Sequence, residues 1–199
     1  MGTGPAAGSG RVAAPAAAGL ILAAALATWA GLRWPAAFDA LVLDRDAVLA
    51  GQAWRLWSAH LLHLDARHAA LNLAALALLA LLAARMRLLA PLLGASLLLM
   101  PAISAGLLAA APHLHWYVGL SGLLHGCVAW LLVRHGGAWA LAGLAVLAAK
   151  LLWEALMPAT PSGAMRVVVE AHQAGAIAGA LLGAIGAWRY RQLLGTRTG

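Results

Sequence analysis

The sequence predicts an all-α membrane protein: a bundle of six transmembrane helices with both termini on the inner side. Three observations carry this expectation. Of the 199 residues, 64% are hydrophobic and only 10% charged, with a mean hydropathy of +0.87. A soluble domain would need about a quarter of its residues charged to cover its surface. Six Ala/Leu/Gly-rich stretches run along the chain, at 13–32, 68–84, 88–111, 120–134, 138–157 and 171–188, without the strict alternation of barrel strands. Arginines, singly or in pairs, punctuate the gaps, which is the pattern of topology signals.

Taken in order, the first stretch follows Arg11 and could pass for a secretory leader. Its uniform alanines define no convincing small-residue cleavage site, so 13–32 is expected to stay as the first span. Residues 33–67 are the longest polar interval and carry Trp34, Trp54 and Trp57, rings suited to the headgroup layer. The later stretches approach the roughly 20 residues that cross the hydrocarbon core. A second sizeable loop, 158–170, opens Pro158-Ala159-Thr160-Pro161-Ser162-Gly163. The division expected is a cytoplasmic tail 1–12, a membrane domain 13–190 and a basic cytoplasmic tail 191–199.

Charge sets the orientation. With the N-terminus inside, Arg11, Arg85, Arg87, Arg134, Arg189, Arg191 and Arg197 fall inside, while Arg33, Arg45, Arg55, Arg67 and Arg166 fall outside. Every acidic residue (Asp39, Asp44, Asp46, Asp65, Glu154 and Glu170) falls outside or in the outer half of a span. The bias follows the positive-inside rule. The net charge of +7 does not point to nucleic acid, because the basic residues are not gathered on a soluble face with aromatics between them. The single cysteine, Cys127, lies in an apolar run and excludes an intrachain disulfide framework.

Polar side chains inside a bilayer are costly and mark function. The second, fourth and sixth stretches all run from outside to inside in this topology. Asn72 lies 13 residues before Arg85, Ser121 lies 13 before Arg134, and His172 lies 17 before Arg189. At the helical rise this sets all three roughly 20–25 Å above the inner arginines, and His68 falls in the same layer one turn above Asn72. A serine hydroxyl needs a base within hydrogen-bond reach to act as a nucleophile, and a histidine can take and return that proton. Asn72, His68 and the Ser121 backbone N–H could stabilise an oxyanion. No carboxylate is counted into the layer beside His172, so the expected arrangement is a dyad, with Glu170 at the mouth. Gly175, Gly179 and Gly183 follow His172 at four-residue spacing, and Gly122 and Gly126 flank Ser121. Such small-residue stripes let helices pack tightly, although they are common in any membrane bundle.

Plainer roles compete. Ser121 could be only a helix cap, and His68 and Asn72 only interhelical hydrogen bonds. His60, His63 and His68 lack a completing Cys or carboxylate set for a metal, so structural or solvated roles are expected for the first two. His113 and His115 belong to the loop before the serine. Lys150 and Glu154, at i and i+4, are expected to neutralise one another in the outer half of the fifth span.

Together these residues resemble the rhomboid family. Trp54-Arg55 with Ser58 resembles its W-R-x-x-[ST] pattern, and His63, His68 and Asn72 resemble its histidine-bearing loop and H-x-x-x-N helix opening. Gly119-Leu120-Ser121-Gly122 matches G-x-S-G, and Ala171-His172-Gln173-Ala174-Gly175 with Gly179 resembles A-H-x-x-G-x-x-x-G. The motifs stand in family order across residues 54–183. The resemblance implies a six-helix rhomboid-like bundle and Ser121/His172 peptide-bond hydrolysis within the membrane, without metal or cofactor. Where the family commonly carries an aromatic four residues after its serine, this chain has His125, which could stack on His172 in that ring's place or bond a backbone carbonyl. The run Gly119 to Gly126 is most similar to the rhombosortase branch. That similarity implies substrates anchored in the membrane by Gly-Gly-containing C-terminal sorting tails, cut near the outer, periplasmic face of a bacterial inner membrane. Two rival expectations are a catalytically inactive rhomboid-like binder of transmembrane helices, which the intact Ser121 and His172 disfavour, and a b-type haem protein, which would need paired histidines at matched depth on facing helices.

Overall fold

The computed structural model describes residues 9–157 and 168–195; residues 1–8, 158–167 and 196–199 lie outside the described residues, including most of the expected loop 158–170 and the end of each tail. In chain order the elements are α1 (Ser9–Arg33), α2 (Pro35–Leu41), β1 (Leu43–Asp44), α3 (Arg45–Leu49), α4 (Arg55–Ser58), a 3₁₀ turn (Ala59–Leu61), α5 (Ala66–Arg85), α6 (Leu89–Ala110), β2 (Trp116–Tyr117), α7 (Ser121–His135), α8 (Gly137–Leu156) and α9 (Val169–Gly195). Each of the six apolar stretches forms one helix. Of these, α1, α5, α6 and α8 are long and apolar enough to cross a membrane by length and composition. Their outward faces are apolar: Leu26, Leu78, Leu97, Leu141 and Leu152 are all exposed, as lipid-facing side chains are.

The centre of the bundle is α7. It buries Leu123, Cys127 and Trp130 against Leu99, Ile103 and Leu107 of α6. Its 15 residues rise only about 22 Å, against roughly 30 Å of hydrocarbon core. A central helix that short leaves its first residue, Ser121, recessed among longer neighbours. By contrast α8 is peripheral, with Ala140 its one buried residue.

The interval between α1 and α5 is not loose chain. Buried Arg55 donates to Gln52 Oε1 at 2.8 Å, Asp39 O at 2.6 Å and Val42 O at 2.7 Å. Ser58 Oγ donates to Leu41 O at 2.7 Å, and Trp54 Nε1 to Ala40 O at 3.1 Å. A buried carbonyl left unpaired costs about 1–3 kcal/mol, so these donors are what let the segment fold back into the bundle. Arg45 reaches further and donates to Leu107, Leu108, Ala111 and Leu114 carbonyls, covering the open C-terminal end of α6. The short antiparallel pairing of β1 with β2, Leu43 opposite Tyr117, ties this interval to the segment that leads into α7.

Among the described residues, the tightest helix contact is between α7 and α9. A Cβ placed on Gly122 would lie 2.8 Å from Ala171 O, and one on Gly126 would lie 2.9 Å from Gly175 O. Reciprocally, a Cβ on Gly175 or Gly179 would run into the carbonyl oxygens of Gly122 and Gly126. Backbone meets backbone here, as the two glycine stripes predict. Gly179→Leu is therefore expected to destabilise the bundle by at least about 1–3 kcal/mol through overpacking and to separate the two helices. Thermal unfolding in detergent measures the loss; an unchanged midpoint would mean that the close approach is not needed for folding.

Candidate active site

Local backbone chemistry presents Ser121. Gly119 sits at φ +133°, a conformation L side chains rarely adopt, and its N–H donates to Ala59 O at 3.0 Å. Tyr117 Oη donates to Gly119 O at 2.7 Å. The turn so fixed delivers Ser121 as the first residue of α7, where backbone amides have no intrahelical acceptor. Ser121 and His172 border a cavity of about 490 Å³ with largely apolar walls, shared with Leu64, His68, Trp116 and Val168. That is the size of a small-ligand site.

His172 stands in the first turn of α9 and is buried. Its Nε2 lies 2.9 Å from Ser121 Oγ, so the two residues expected to meet do meet. On its other side the expectation of no carboxylate is corrected. Nδ1 of His172 lies 2.9 Å from Glu154 Oε2, while Glu154 Oε1 pairs with Lys150 Nζ at 2.5 Å. Glu154 thus keeps its expected partner and has a second one. Residues of α5, α7 and α9, which run parallel, can be counted to one level, whereas α8 runs the opposite way. The missed signal was available: Glu154 is three residues before the end of its stretch, and His172 is the second residue of the next.

His125 fulfils both of its alternatives. Its ring stacks on His172, with centroids 4.0 Å apart and planes at 16°, and its Nδ1–H donates to Ser121 O at 2.7 Å. His125, Glu154 and His172 offer ligand atoms within 4.8 Å of one another. Imidazole lone pairs lie in the ring plane, however, and two nearly parallel stacked planes do not converge on one ion. The geometry is that of a ring contact. The same closeness leaves no room for a haem between these two histidines.

Asn72 and His68 come together as expected: the Asn72 amide and His68 Nε2 lie 2.8 Å apart. Carbon Cε1 of His68 is 3.7 Å from the position a Cβ would take on Gly119, so His68 lines the cavity beside the serine turn, with Asn72 behind it. Asp65 caps α5 by accepting from His68 N at 2.7 Å, which sets where that helix begins. Trp54 and Arg55 are not at the cavity; they brace the segment between α1 and α5. Glu170 pairs with His113 at 3.3 Å near the cavity's rim, in line with a place at the mouth.

His60 and His63 are fully buried structural residues. His60 Nε2 lies 2.9 Å from Met100 O and 3.1 Å from Ser104 Oγ, and His63 Nδ1 lies 2.8 Å from Thr28 Oγ1. Burial pushes each imidazole from its ordinary 6.5 down to about 4, and the neighbouring His68 adds to the effect at His63. Below 6.5 the unfolded chain takes up protons that the folded chain refuses, so stability is full above that pH and declines between 6.5 and about 4. Acidification across this window is expected to lower the unfolding midpoint in detergent. His60→Gln, which keeps a donor but cannot titrate, should reduce the slope; a flat profile in the wild type would contradict the burial argument.

A helical membrane bundle with a serine and a histidine joined across its two most closely packed helices is the class of molecule that this geometry defines. The rhomboid domain model matches residues 50–189, and the chain belongs to the rhomboid family, known for serine intramembrane proteases. A comparison with curated proteins found no match.

Proposed function

We propose that this chain is an intramembrane serine endopeptidase in which Ser121 is the nucleophile and His172 the general base. The observation that carries the reading is the 2.9 Å approach of His172 Nε2 to Ser121 Oγ at a helix N-terminus that opens on a cavity. The serine oxygen attacks the scissile carbonyl as its proton passes to His172 Nε2. The same proton then goes to the leaving amine as the C–N bond breaks, and water releases the acyl group by the reverse sequence. Charge on the tetrahedral oxygen is met by the Ser121 backbone N–H and by His68, which Asn72 orients and assists. Gly119 and Gly122 shape the turn, His125 holds the imidazole ring flat by stacking, and Gly175 and Gly179 permit the approach. The chemistry so written uses no metal and no cofactor.

In this reading the domain spans 13–190 between cytoplasmic tails 1–12 and 191–199, and all six long helices cross the membrane with both termini inside. Arg85, Arg134 and Arg189 lie toward that side, and this charge bias supports a site in the outer half of a bacterial inner membrane, facing the periplasm. The substrates are membrane-anchored proteins held by a single span. The similarity of residues 119–126 to the rhombosortase branch favours C-terminal sorting tails containing Gly-Gly.

A fluorophosphonate probe is expected to label the wild type, and Ser121→Ala and His172→Ala are each expected to abolish labelling while remaining folded and inserted. Equal labelling of the serine variant would refute the pair. A wild type that never labels and never cleaves would leave a binder of transmembrane helices. Asn72→Ala is expected to lower kcat by about a hundredfold, with little change in KM, if its contact forms in the transition state. A rise in KM at constant kcat, measured on a Gly-Gly-tail reporter, would make Asn72 a substrate-positioning residue instead.

A further inference from the structure

We propose that Glu154 is a positioning residue for His172, making the site a Ser121–His172–Glu154 triad clamped by Lys150, an inference that rests on the hydrolase reading above. The carboxylate divides its oxygens between two partners: Oε2 on His172 Nδ1 at 2.9 Å and Oε1 on Lys150 Nζ at 2.5 Å. The side chain of Glu154 is 21% exposed and that of His172 only 6%, so their bond is largely shielded from water. A carboxylate in the apolar outer layer is expensive unless paired, and Lys150, 46% exposed on the outer flank, supplies the counter-charge that keeps it ionised.

Chemistry follows from the acceptor. An ionised carboxylate takes a hydrogen bond only from Nδ1–H, which leaves the Nε2 lone pair free for the serine proton. When Ser121 Oγ bonds to the carbonyl carbon and its proton moves to Nε2, the imidazolium formed is stabilised by the adjacent negative charge. Glu154 itself gains no proton; the proton on Nε2 leaves with the amine. His125 stacks on the same ring from α7, so the imidazole is fixed in plane by the stack and in tautomer by Glu154. Since α8 buries so little of itself, this bond also ties its outer end to α9, and the orientation of His172 depends on where α8 sits.

The test is the inactivation of the full-length protein in detergent by a fluorophosphonate, resolved into kinact and KI. Glu154→Ala and Glu154→Gln are expected to lower kinact by about a hundredfold or more, with KI unchanged. Glutamine should be no better than alanine, although it fills the same space, because its amide can donate to Nδ1 and favour the wrong tautomer. Glu154→Asp should recover part of the rate, and Lys150→Met should lose less than about tenfold, as a half-exposed ion pair does. A packing role would give the reverse order, with glutamine close to wild type and alanine impaired, and that order would overturn the proposal. Wild-type kinact in both Glu154 variants, with Ser121→Ala unreactive, would overturn the triad and leave the serine–histidine pair standing. A reactive Ser121→Ala would overturn both. Because the glutamine and aspartate variants conserve shape or charge, misfolding of the alanine variant alone does not remove the test.

Discussion

Everything around Ser121 and His172 depends on two helix backbones lying in contact. The carbonyls of Gly122 and Gly126 occupy the space that side chains on Gly175 and Gly179 would need. Only with that space empty can an imidazole on α9 reach a hydroxyl on α7 by an ordinary hydrogen bond. Four glycines thus do for two helices what a preformed cleft does in a soluble enzyme. The arrangement has a structural cost, since glycine weakens helices in water. Between membrane helices close van der Waals packing is itself a driving force, so the residue that weakens each helix strengthens the pair.

Around that contact the molecule solves a solvation problem. Buried polar side chains need partners, and several of those among the described residues find them within the chain. Arg45 and Arg55 satisfy carbonyls of the segment before α5 and of α6, His60 and His63 bond into α6 and α1, and Glu154 lies between a lysine and a histidine. The brevity of α7 then turns depth into access: its N-terminus lies below the ends of its longer neighbours, with a cavity above it.

Much of this was legible beforehand. The six stretches became six helices because their continuous Ala/Leu/Gly-rich apolarity carries no strand alternation, and a backbone amid apolar surroundings must bond internally. The boundaries moved where polar residues also favour helix: α9 runs to Gly195 rather than stopping near residue 188, carrying Arg189 and Arg191 as its final turns. Ser121, His172, Asn72 and His68 could be brought to one level because counting residues along parallel helices measures depth. Glu154 escaped the same count because α8 runs the other way, and its apparent partner at i, i+4 already accounted for its charge. Arg55 stood out by its motif, but the partners of Arg45 and Arg55 were not legible, since the carbonyls they meet are set by tertiary folding. Asp39, Val42 and Leu107 announce nothing in sequence.

The most direct examination of the central claim is an experimental structure of the protein after reaction with a fluorophosphonate. A phosphorus–oxygen bond is expected at Ser121 Oγ, with His172 Nε2 within hydrogen-bond reach of that oxygen. The phosphoryl oxygen is expected to turn toward the Ser121 N–H and His68. An adduct on another residue, or an unmodified Ser121 with His172 beyond a side chain's reach, would contradict it.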